Sequence, residues 1–162
     1  MGNSRFYQTA IEWINAERKR LDDFCEALDK DPKERKSKIT EYKCARYRYA
    51  GLTNVWWALF HSHRTAERNA GNHYLDPSVN DVFITVPEYV VLYDNASEGE
   101  KRDYALYYGV IAFVELKIAE ITAKLPFATD WERVELEERM GGLQFAKECL
   151  DEAWQKRKDV IQ

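Results

Sequence analysis

The sequence predicts an all-α fold, an antiparallel bundle of about four long helices forming one domain over residues 1–162, and three observations lead there. A helix-start signal recurs at Asp31-Pro32-Lys33-Glu34, Thr85-Val86-Pro87-Glu88, Ser97-Glu98-Gly99-Glu100 and Thr129-Asp130-Trp131-Glu132. In each, a short polar side chain can accept from an unpaired amide of the first turn, while a glutamate three residues on reaches back to the cap's own amide. Long segments follow three of these starts with apolar residues every three or four positions, the period of a helix with one buried face. Only residues 72–96 lack that period, so they form an irregular crossover.

Helix one is expected from about Ser4 to Asp29. Tyr7, Ile14, Leu21 and Leu28 recur at seven, Ala10, Ile11, Phe24 and Cys25 fill the intermediate positions, and Glu17 and Arg18 interrupt the stripe. Helix two begins at Pro32, whose missing amide costs nothing in a first turn, and continues for about forty residues to Gly71-Asn72. Its face comprises Tyr42, Ala45, Tyr49, Leu52, Trp56 and Leu59, and Gly51 is a natural point for a bend. Within the crossover, Asp76-Pro77-Ser78 reads as a turn, Val79–Ile84 is short and partly β-branched, and Pro87–Tyr93 can make two helical turns. An unpatterned stretch of this length either packs across the bundle or binds something.

Helix three, from about Glu98 to Leu125, has the most regular stripe: Tyr104, Tyr107, Tyr108, Ile111, Val114, Ile118, Ile121 and Leu125, widened by Val110 and Phe113. Helix four starts after Pro126-Phe127-Ala128 and presents Leu136, Met140, Leu143, Ala146, Leu150, Ala153 and Trp154. Gly141-Gly142 stands in its middle. Each glycine costs about 1 kcal/mol against alanine in a helix, so the pair marks a kink, a break or a close helix approach.

Hydrophobic residues make up 45% of the chain and charged residues 32%, which excludes wholesale disorder. No apolar run reaches the roughly 18 residues that cross a bilayer, and Met1–Arg5 leads directly into an amphipathic pattern without a secretory core. A soluble, cytoplasmic protein with no membrane partner is expected. Cys25, Cys44 and Cys149 are odd in number and lack a C-x-x-C spacing, which suits a reducing compartment and small buried side chains. The net charge of −4 argues against nucleic-acid binding by the whole surface while leaving room for a local basic patch.

His61 and His63 are two apart, so on a helix their side chains diverge by about 200° and cannot share a metal ion. His63 continues the apolar face beyond Trp56 and Leu59, and His73 follows in the crossover. A basic cluster, Lys33, Arg35, Lys36, Lys38, Lys43, Arg46 and Arg48, interleaves with Tyr42, Tyr47 and Tyr49. Cations for phosphates and rings for stacking are the ingredients of nucleic-acid binding, with Lys36, Lys43, Arg46 and Arg48 as its contacts. Glu34 and Glu41 dilute the cluster, and a solvated helix face is the favoured account of it.

Glu135-x-x-Glu138 and Glu148-x-x-Asp151 resemble the acidic pairs that hold magnesium in all-α nucleotide pyrophosphohydrolases of the MazG and dimeric dUTPase type. That resemblance implies a magnesium-dependent hydrolase with Glu135, Glu138, Glu148 and Asp151 as ligands. In that family the pairs come from separate helices, so here they need a break at Gly141-Gly142. No nucleophile elbow, phosphate-binding glycine loop, dinucleotide fingerprint or zinc-protease motif is present, so no cofactor is indicated.

Aromatic residues make up 14% of the chain, and Trp13, Trp56, Trp57, Trp131 and Trp154 cannot share one face. Tryptophan and tyrosine dominate binding hot spots, whereas a second packing face or a homodimer is the structural alternative. The leading expectation is a non-enzymatic interaction protein, a regulator, adaptor or inhibitor, that engages a protein partner through Trp57, Tyr74 and Tyr89. Nucleic-acid binding through the basic cluster and magnesium-dependent hydrolysis are its rivals.

Overall fold

The computed structural model describes residues 5–68 and 98–157 of the chain. The crossover near 72–96, the strand question over Val79–Ile84, and the caps at Thr85 and Ser97 lie outside the described residues. So do His73, Tyr74 and Tyr89.

Among the described residues five helices make up the fold: α1 (Arg5–Asp29), α2 (Pro32–Ser37), α3 (Ile39–Arg68), α4 (Glu98–Lys124) and α5 (Asp130–Lys156). A single 3-10 turn, Leu125–Phe127, joins the last two. The long helix expected from Pro32 is divided at Lys38. Asp31 caps the first turn, accepting from the Glu34 amide at 3.3 Å, while its own amide donates to the Leu28 carbonyl and Glu34 pairs with Lys38, so only the Asp31 half of the expected box forms. Lys38, at φ −113° and ψ 31°, then leaves helical geometry and ends the short α2, while its carbonyl accepts the Tyr42 amide and starts α3. The capping box expected at Thr129 does not form. Asp130 is left-handed at φ 51°, a conformation aspartate tolerates, and a box needs right-handed backbone directly after the cap.

The helices run alternately up and down. Tyr7 of α1 stacks on His63 near the end of α3, while Cys25 meets the Tyr42 carbonyl near its start. Phe6 of α1 packs edge-on to Trp154, late in α5, and Tyr107 of α4 stacks on that same indole. Each of these pairs therefore runs antiparallel, which leaves α3 and α5 parallel to one another. Phe6, Ile14, Leu52, Leu59, Leu106, Val110, Val114, Leu143 and Leu150 are fully buried between the helices. Phe24, placed on the buried stripe by its spacing, lies at the rim and is exposed.

The parallel pair α3 and α5 approaches closely at glycine. A Cβ on Gly51 would collide with the Arg139 carbonyl, and one on Gly142 with the Arg48 carbonyl and the Leu52 amide. Missing side chains thus let two backbones touch, and of the three expectations for Gly141-Gly142 the close approach is the one realised. α5 is continuous from Asp130 to Lys156, without a break, and α3 is continuous through Gly51.

Candidate functional site

The outer face of α3 begins with spacing. Residues four apart sit above one another on a helix, and here those positions are aromatic. Trp57 and His61 stack with centroids 4.2 Å apart and planes within 1°, and Trp56 and Phe60 do so at 5.0 Å and 5°. Trp56 also meets Trp57 edge to face at 5.3 Å, which joins the two columns into one array. Arg64 continues it, with its guanidinium 5.8 Å from the Phe60 centroid. Trp57 is 50% exposed, although the indole is among the most expensive side chains to leave in water.

Arg18 of α1 closes the lower edge of this array. Its guanidinium lies 4.5 Å from the Trp56 ring and 5.0 Å from the Tyr49 ring. It donates from Nε to Thr53 Oγ1 at 3.2 Å, from Nη1 to Asn15 Oδ1 at 3.0 Å, and from Nη2 to the Tyr49 hydroxyl at 3.1 Å. All three acceptors are neutral, and no carboxylate among the described residues lies within ion-pair distance of it. Arg18 was visible in the sequence only as an interruption of the α1 stripe. A second signal went with it: no Asp or Glu stands between Glu41 and Glu67, in a chain that has 28 of them.

The basic cluster has a different environment. Arg46 pairs with Asp29 at 3.3 Å and Asp22 at 3.8 Å, and Arg35 pairs with Asp29 at 3.2 Å. The Tyr42 hydroxyl donates to Asp29 at 2.8 Å and, followed by Arg35 and Arg46, holds that carboxyl below its ordinary range. Arg48 reaches Glu17 at 3.9 Å and lies over Phe145, while Lys43 lies 4.1 Å from the Trp131 ring. Lys36 remains exposed. Of the four expected phosphate contacts, two are thus neutralised by α1 carboxylates and one is seated on an indole.

The acidic pairs are not brought together. With α5 unbroken, Glu138 and Glu148 stand about 15 Å apart along the axis at 1.5 Å per residue. Glu135 pairs with Arg139 at 2.9 Å, and Asp151 accepts from the Tyr107 hydroxyl at 2.8 Å. Burial first, and then that carboxylate, keeps Tyr107 protonated well above the usual phenol range. Glu138 lies beside Cys44, whose thiol is pushed up by burial first and then by this carboxylate. Glu148 lines a groove of about 430 Å³ between α1 and α5 with Trp13, Glu17, Phe145, Cys149 and Glu152. Burial, followed by Glu152, Glu148 and Glu17, raises the Cys149 thiol to about 11. Among the described residues no group of three or more His, Cys, Asp or Glu side chains is arranged to hold a metal ion.

His63 is buried and stacks on Tyr7 at 3.7 Å, while His61 belongs to the outer array, so the two diverge as their spacing requires. Cys25, Cys44 and Cys149 are free thiols. Among the described residues no helix is long and apolar enough to cross a membrane. No protein-family model, curated protein or solved structure matches the chain, so the surface is read from its own chemistry.

Proposed function

We propose that this chain is a non-enzymatic interaction module, a regulator, adaptor or inhibitor, that engages a protein partner through the outer face of α3 centred on Trp57. The observation that carries the reading is the half-exposed Trp57 held rigid by its stack on His61 and its edge contact with Trp56. An indole already ordered in the free protein loses little conformational freedom when a partner covers it, which is what makes rigid aromatic residues effective anchors. The three free cysteines accord with a reducing, cytoplasmic setting. Tyr74 and Tyr89 belong to the same proposal as contacts contributed by the crossover.

The nucleic-acid reading draws less support, because Arg46 and Arg48 already face carboxylates and Lys43 faces Trp131. The hydrolase reading lacks the break in α5 that it requires. Affinity capture with wild-type and Trp57→Ala protein, each with and without nuclease, tests the proposal. A stoichiometric protein partner that survives nuclease and is lost with Trp57→Ala is the expected result. A partner set indifferent to Trp57, or one that disappears with nuclease, overturns it. A partner that proves to be a second copy, seen as dimer in light scattering and monomer in the variant, makes the face a self-association surface instead.

A further inference from the structure

Arg18 contradicts the ordinary treatment of a part-buried guanidinium. Taking such a group out of water is costly, and proteins usually offset the cost with a carboxylate. Here Thr53, Asn15 and Tyr49 hold it by neutral oxygens while Trp56 and Tyr49 flank it with rings. A guanidinium carries five N–H groups in a planar fork, so three hydrogen bonds leave two N–H groups without a partner among the described residues. The fork is held in place by these contacts, is positively charged, and lies beside the aromatic array that carries the exposed Trp57.

We infer that this edge is the docking site for an acidic, apolar peptide segment of the partner, with a carboxylate on Arg18 and an adjacent apolar side chain on Trp57. The inference rests on the reading of the α3 face as an interaction surface and adds the chemistry of what binds there. Charge complementarity selects the occupant. A cavity of about 310 Å³ beside Arg18 is lined by Asn15, Lys19, Asp22 and Tyr49 as well. Lys19 already pairs with Asp23 at 2.7 Å, and Asp22, the carboxylate in that lining, lies 3.8 Å from Arg46. Among the described side chains of α3 the array meets the cation of Arg64, and the sequence has no acidic residue between Glu41 and Glu67.

A carboxylate fits better than a nucleic-acid strand. A planar fork with two remaining N–H groups suits one bidentate carboxylate. A strand needs cations along a track of phosphates, and the cations farther down α3 are already paired within the bundle.

The test is titration of the full chain with fluorescein-labelled 15-residue peptides in which Glu-Glu pairs flank Leu or Phe. Controls are the same peptides with Lys for Glu or Ser for the apolar residues, and a labelled single-stranded oligonucleotide. The acidic apolar set should bind, and binding should weaken with added salt. Affinity should fall by roughly thirtyfold in Arg18→Gln, the scale for truncating one partner of a hydrogen-bonded charge pair at an interface. Arg18→Lys should not restore it, because an ammonium cannot reproduce the fork. Asn54→Glu supplies a variant that leaves Arg18 and its packing intact: Asn54 is exposed, one turn before Trp57, and a carboxylate there should weaken the acidic peptide and strengthen the Lys-substituted one. Equal binding of acidic and Lys-substituted peptides, acidic binding unchanged in both Arg18→Gln and Asn54→Glu, or Arg18-dependent binding of the oligonucleotide alone overturns the inference. Partner capture lost in Trp57→Ala but retained in Arg18→Gln overturns the carboxylate site while the interaction reading stands; capture retained in both overturns the interaction reading itself.

Discussion

The two halves of the α3 face that packs on α1, Tyr42–Arg48 and Tyr49–Trp56, carry similar residues and treat charge in opposite ways. In the first half, Tyr42, Arg46 and Arg48 face α1 at Asp22, Asp29 and Glu17, so each guanidinium meets a carboxylate. In the second half, Tyr49, Thr53 and Trp56 face α1 at Asn15 and Arg18, so a cation meets hydroxyl, amide and ring. The antiparallel register decides the difference, since α1 is acidic toward its end and meets the beginning of α3. A helix whose composition reads as uniformly basic and aromatic therefore meets carboxylates at one end and neutral oxygens and rings at the other.

The largest effect should come from the seam where the two halves meet. Gly142→Val would push a branched side chain into the Arg48 carbonyl and the Leu52 amide, and backbone cannot swing aside, so unfolding free energy should fall by about 3 kcal/mol in denaturant titration. Gly141→Ala separates this from propensity. Its Cβ meets only the Arg48 Nη1 at 3.0 Å, a side-chain end that can move, so the variant should be neutral or slightly stabilised. If the two glycine variants behave alike, the close-approach account is wrong.

Arg46→Met should lower Tm by about 2 °C, the scale of an exposed ion-pair network in a domain of this size. Arg18→Met, which keeps an apolar stem against Trp56 while removing the charge, should change stability by less than about 1 kcal/mol, because relief of the unpaired charge offsets the lost hydrogen bonds. A larger loss for Arg18→Met than for Arg46→Met would erase the contrast between the halves.

Acid should separate the halves as well. Asp29 is held below its free value of 3.8 by Tyr42 first, with Arg35 and Arg46 behind it. A carboxylate lowered in this way adds stability that is fully present above 3.8 and is lost as pH falls through its lower folded value. Tyr42→Phe removes the main contribution. Its deficit in Tm should be visible at pH 7 and shrink toward pH 2, whereas Arg18→Met should show no such pH dependence in that range. The smallest change in stability, within about 0.5 kcal/mol, is expected for Trp57→Ala, whose ring is half in water. A large loss there would mean that Trp57 supports the fold.

Much of the bundle was legible in the chain because helix formation is local. Asp31-Pro32 marks the start of α2, and the seven-residue recurrence of Tyr7, Ile14, Leu21 and Leu28 names the buried face of α1. The break at Lys38 and the left-handed Asp130 were not legible, since both hold where neighbouring helices must turn and pack. Trp57 follows Trp56 by one step, about 100° around the helix, so it leaves the face that carries Trp56 and is half exposed. Arg18 was noticed only as an interruption, for its partners lie 31 and 35 positions away.

The sequence by itself determined the helical class, the buried stripes and the aromatic surplus, all consequences of interactions within a few residues along the chain. Tertiary structure decided that Gly141-Gly142 lies in a seam rather than a break, and which cations of α3 are neutralised. It decided too that Arg18 is locked in place with no carboxylate partner among the described residues. Those outcomes depend on the register between helices, and electrostatic pairing follows distance in space rather than position in sequence.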